Sequence, residues 1–182
     1  MIEFESYTFQ ELLNSPLLDE YKAFGLKSKG RDNGWCKSSA LEWPWGDVKQ
    51  IQDIINQPSL SYDDMIEIIC IASRKTREQI MTETWHLVFK FYNFVVEQIE
   101  FINEREKQLQ YDPDVKEVNA GIEEFAQFGW MGTLYRLAAG DPLKYDPICQ
   151  LPYHDIFITL LMQKQDIEFQ KNKHPLSMRL SR

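Results

Sequence analysis

Apolar residues return every three to four positions along most of this chain, and no stretch alternates convincingly with period two. Val48, Ile51, Ile54 and Ile55 make a one-sided stripe that Pro58 ends. Ser61 stands where a helix cap belongs, before "YDDMIEIICIAS", and its acids fall in the positive first turn. Thr76 and Gln79 have capping-box spacing. A short element is expected within residues 1–25, capped by Thr8 or Ser6 and stopped at Gly25. Further helices are expected from Pro113 to Gly129 and from about Pro152 to Lys171. The predicted fold is all-α.

The longest pattern, residues 84–109, holds Trp85, Tyr92 and Ile99 at intervals of seven, with Val88, Val95, Ile102 and Leu109 offset by three. That is an a/d seam, widened by Phe89 and Val96. Leu87, Phe91, Phe94 and Phe101 form a second stripe, which leaves the polar residues a wedge from His86 to Lys107. A helix apolar over more than half its circumference does not sit on the surface of a small monomer. The expectation is a bundle around this central helix, with the second stripe also meeting another subunit.

Residues 26–46, "LKSKGRDNGWCKSSALEWPWG", break the periodicity with three Gly, three Ser and three Trp. They read as an arm whose Trp35, Trp43 and Trp45 lean on the helical body or on a partner. The expected organisation is an N-terminal element and arm over 1–46, a helical domain over 47–171 and a basic tail over 172–182.

Charge sharpens this division. The net charge is −8, but no acid follows Glu168, so residues 1–168 carry 16 Lys/Arg against 28 Asp/Glu, or −12. So acidic a body repels nucleic acid. Lys171, Lys173, Arg179 and Arg182 could instead pair with an acidic protein surface, a neighbouring copy included. No apolar run approaches the roughly 20 residues of a membrane span, and the acidic start lacks a secretory layout, so a cytoplasmic protein is expected.

Candidate chemistry is sparse. Cys36, Cys70 and Cys149 lack metal-ligand or disulfide spacing, and Cys70 reads as a small core residue. One Glu83-x-x-His86 pair falls short of a di-iron site, which needs two such motifs and two more Glu. "GDPLKYDPICQLPYHDIFITLL", residues 140–161, gathers Cys149, His154 and three Asp. Yet Pro142, Pro147 and Pro152 recur every five residues, with Asp141 and Asp146 placed to cap turns. This stretch reads as a joint leading into the last helix, with His154 and Asp155 on that helix's first turn. Phosphate-loop, dinucleotide and hydrolase signatures do not occur, so no catalytic residue, cofactor or metal is assigned.

Residues 61–96, "SYDDMIEIICIASRKTREQIMTETWHLVFKFYNFVV", place an apolar helix, a Ser/Lys turn, a brief "REQIM" helix and a Trp-led helix in succession. This layout resembles the helical region of small tail-assembly chaperones and related virion or morphogenesis proteins of tailed bacteriophages, over roughly residues 46–110. The arm and the Pro-stepped C-terminal third depart from that pattern. The resemblance implies a non-enzymatic assembly or virion protein, in the host cytoplasm or in the particle, acting through helical interfaces with phage or self subunits. The interface residues expected from the arm, the second stripe and the basic tail are Trp35, Trp43, Trp45, Leu87, Phe91, Phe94, Phe101, Lys171, Lys173, Arg179 and Arg182, and the resemblance adds none. The alternatives are an acidic helical regulator of a protein partner, with DNA binding behind it, and then an enzyme of unfamiliar type.

Overall fold

The computed structural model describes residues 7–16, 18, 25, 30, 34–36, 39–111, 113, 124 and 127–179, the last eight as backbone alone. Eight α-helices and no strands occur among them. In chain order these are α1 (Phe9–Leu13), α2 (Trp45–Ile55), α3 (Tyr62–Ser73), α4 (Arg77–Met81), α5 (Trp85–Glu106), α6 (Gly129–Leu137), α7 (Tyr145–Cys149) and α8 (Tyr153–Arg179). The fold is all-α, and α5 is its central helix, continued by one 3-10 turn over Lys107–Leu109.

Local chemistry sets the starts of the early helices. Ser61 accepts from the Asp64 amide at 3.2 Å, while Asp64 accepts from the Ser61 amide at 2.8 Å. Thr76 with Gln79 and Thr8 with Glu11 repeat this reciprocal box. Arg74 closes α3 in a left-handed conformation, φ 61°, with its amide on the Cys70 carbonyl.

Two compact units make up the fold. Unit 1 comprises Met1–Trp43 and Asp47–Ile102; unit 2 comprises Pro44–Gly46 and Asn103–Arg182. In unit 1 the expected seam of α5 is interior: Trp85, Val88, Tyr92, Val95, Ile99 and Ile102 are all buried. The start of α5 is held by α1. Thr8 bridges Thr84, the Phe9 amide donates to the Glu83 carbonyl at 2.8 Å, and the Phe9 ring meets Phe89 edge-on at 5.9 Å.

In unit 2 the Pro-stepped stretch is a joint, with corrections of detail. Asp141 caps its turn, accepting from the Leu143 amide at 3.0 Å. Asp146 does not cap; it lies inside α7, whose N-terminus has no side-chain cap. Residues 44–46 clip onto the joint's end. Pro44 bridges Pro152, the Trp45 amide donates to the Leu151 carbonyl at 2.8 Å, and Gly46 sits so close to Cys149 that an added Cβ would lie 2.8 Å from the Cys149 Cβ. Trp45 also meets Trp130 of α6 edge-on, centroids 5.5 Å apart.

Three boundaries differ from expectation. Trp45 begins α2, two residues before Asp47. Gly129, expected to close a helix, stands at the first position of α6 with φ 52°. The last helix runs past Lys171 to Arg179. The helix expected from Pro113 to Gly129 lies largely outside the described residues.

Candidate functional site

At Phe91 the second stripe of α5 is covered from within the chain. Trp35 lies on Phe91, centroids 5.0 Å apart, and Phe91 has no exposed surface. Lys75 stands over the Trp35 ring, 4.4 Å from its centroid, and is itself held by Glu83 at 2.6 Å. A cation over an indole face is attracted by the ring's quadrupole, so Lys75 adds to the hold that Phe91 has on the indole.

Polar groups of α5 fix the arm at two further points. Asn93 donates to the Gly25 carbonyl at 3.0 Å, and Glu97 accepts from the Gly30 amide at 3.0 Å. Gly30 approaches so closely that an added Cβ would lie 2.5 Å from the Phe94 amide nitrogen. The polar wedge is thus in part a set of docking points for the arm.

The expected interface residues therefore separate. Trp43, Trp45 and Phe91 are buried. Trp35, Leu87 and Phe94 are half-buried. Phe101 stays 48% exposed. Lys171 reaches back over the Tyr111 ring at 4.4 Å. Lys173 and Arg179 lie on α8, where only the backbone is described, and Arg182 lies outside the described residues.

The cysteines and the acid–histidine pairs come together in no described site. Cys36 is buried and donates to the Ala72 carbonyl at 3.1 Å. Cys70 is only half-buried, a correction to its expected core placement, and partial burial pushes its thiol up, away from the reactive thiolate. Glu83 is engaged by Lys75, and His154 and Asp155 are exposed on the first turn of α8. Among the described residues no three His, Cys, Asp or Glu side chains gather as metal ligands would.

The surface that sequence patterning missed is on α8. One face of this helix is anchored in unit 2 by buried Tyr153, Ile156 and Phe157. Arg105 stacks over Phe157 at 4.6 Å, and Lys164 donates to the Gln108 carbonyl at 2.9 Å. Burial pushes the Tyr153 phenol far above its ordinary range, and the neighbouring Glu106 carboxylate pushes the same way. At about 100° per residue, Ile158, Met162 and Phe169 fall within roughly 40° of one another, on the side opposite this anchor. All three are exposed, Met162 by 61% and Phe169 by 62%.

Of the twelve large apolar residues exposed among those described, nine belong to unit 2, so its surface is where apolar contact area lies uncovered. No described helix is long and apolar enough to cross a membrane. Compared with family models, curated proteins and solved structures, the chain matches none.

Proposed function

We propose that this chain is a non-enzymatic interaction protein of the phage-assembly kind, which meets its partners through the outer face of α8. The observation that carries this reading is the row Ile158, Met162 and Phe169, left exposed on a helix whose opposite face is anchored. Large apolar side chains lined up on a fixed helix cost solvation unless another surface covers them. The layout of residues 61–96 supports the assembly context, and Cys36, Glu83 and Asp141 are engaged in a backbone hydrogen bond, an ion pair and a turn cap. On this reading the protein works in the host cytoplasm or within the particle, with other protein subunits as partners.

The test replaces the wild-type gene, in its own genetic background, by one encoding Met162→Asp with Phe169→Asp. Particle formation is counted by electron microscopy, and the purified variant's helicity is checked by circular dichroism. Particles should be lost while helicity is kept, whereas Cys149→Ser and His154→Ala should leave particle yield nearly unchanged. Full yield from the double variant would sink the reading.

A further inference from the structure

The exposed row on α8 is one part of a longer seam. Positions 155, 158, 162, 165, 169 and 172 follow one another at intervals of 3, 4, 3, 4 and 3, which keeps them on one face of the helix. Their residues are Asp, Ile, Met, Gln, Phe and Asn. Read from the other end, the same seam pairs with itself. An antiparallel copy brings 158 opposite 169, Ile against Phe. It brings 162 opposite 165, Met against Gln, and 155 opposite 172, Asp against Asn. Ile158 and Phe169 meet as large apolar residues, Met162 lies against the stem of Gln165, and the polar outer pair is matched as hydrogen-bond acceptor and amide donor.

Charge selects the same direction. The chain entering α8 carries Asp141, Asp146 and Asp155 against Lys144, while beyond Glu168 the helix holds no acid and, besides Lys171 turned back over Tyr111, the bases Lys173 and Arg179. A parallel pair would set each basic end beside its own copy. An antiparallel pair lays each basic end along the acidic start of the other helix and opposes the two helix dipoles.

We infer that the covering partner of α8 is a second copy of this chain, joined by a two-fold antiparallel α8–α8 seam. An isologous interface needs a patch complementary to itself, and this row meets that condition in spacing, residue type and charge. The inference rests on the outer face of α8 being the contact surface, and it adds what occupies it.

The test uses the full chain. Ile158→Cys and Phe169→Cys variants are purified separately, mixed and oxidised mildly, with the wild-type chain as the background control for Cys36, Cys70 and Cys149. Antiparallel pairing should yield several-fold more disulfide-linked dimer from the mixture than from either variant alone, with the link mapped to 158–169 by mass spectrometry. Position 158 would stand roughly 16 Å along the axis from its own copy, beyond the roughly 7 Å that a disulfide spans. Equal dimer yield from single variants would overturn the antiparallel register. A wild-type chain that stays monomeric by light scattering from low to high micromolar concentration would overturn self-pairing altogether. Neither result decides the particle-yield test, which reads the α8 surface itself, so the two ideas fail separately.

Discussion

Trp35 rests on Phe91 with ring centroids 5.0 Å apart and planes inclined by 48°, across 56 residues of sequence. That contact covers the far side of the central helix at Phe91 with the chain's own arm. Truncating Trp35 to Ala uncovers Phe91 and removes the ring under Lys75. Buried Trp→Ala changes cost about 3–5 kcal/mol, and a half-buried ring should fall near 2–3. Urea unfolding monitored by circular dichroism reads this directly; a midpoint equal to that of the wild type would mean the arm does not hold α5.

Gly30 and Glu97 give an ordering rather than a single value. Glu97→Ala frees the Gly30 amide at an exposed site, where the loss of one hydrogen bond costs roughly 0.5–1.5 kcal/mol. Gly30→Ala drives a Cβ to within 2.5 Å of the Phe94 backbone, which cannot rotate away. Overpacking of this kind costs about 1–3 kcal/mol, so Gly30→Ala should be the more damaging change. The reverse order in denaturant melts would refute the close approach.

The cap on α3 should weaken in acid. Side-chain and backbone hydrogen bonds from Ser61 hold the Asp64 carboxyl below its ordinary value. A carboxyl lowered by folding adds stability that is whole above its unfolded value and lost as pH falls through the folded one. The stability difference between wild type and Asp64→Asn should therefore shrink as solutions are stepped from neutral into acid. Asp47 has the opposite sign, because burial raises its carboxyl against the pull of Arg74. Asp47→Asn should gain on the wild type as pH rises. A pH-independent difference for both variants would remove the linkage.

The parts of this fold legible in the sequence are those written locally. Ser61, Thr76 and Thr8 announce their helices because a cap and its partner lie three residues apart. The α5 seam is legible because its period is that of the helix. The cover on the second stripe is not, since Trp35, Gly30 and Gly25 reach α5 over 56 to 68 residues and periodicity carries no record of such pairings. An apolar stripe without a visible cover therefore suggested a second subunit. The seam of α8 went unread for a different reason. Its apolar residues point both inward and outward, and Gln165 interrupts the outward row, so no single stripe stands out. Helix α6 was obscured by Gly129 and Gly132, which weaken the local helical signal.

Phe91 and Phe101 separate the covered part of the second stripe from its exposed part more sharply than any deletion would. They stand ten residues apart on the same helix, one with no exposed surface and the other 48% exposed. Phe91→Asp buries an unpaired carboxylate beneath Trp35, at a cost of several kcal/mol against a total stability of about 5–15. It should unfold the chain, as should Val95→Asp on the seam. Phe101→Asp can turn its carboxylate to water and should melt close to the wild type. Circular dichroism melts of the three variants decide the matter. Equal tolerance of Asp at 91 and 101 would mean that the arm leaves the stripe open at Phe91.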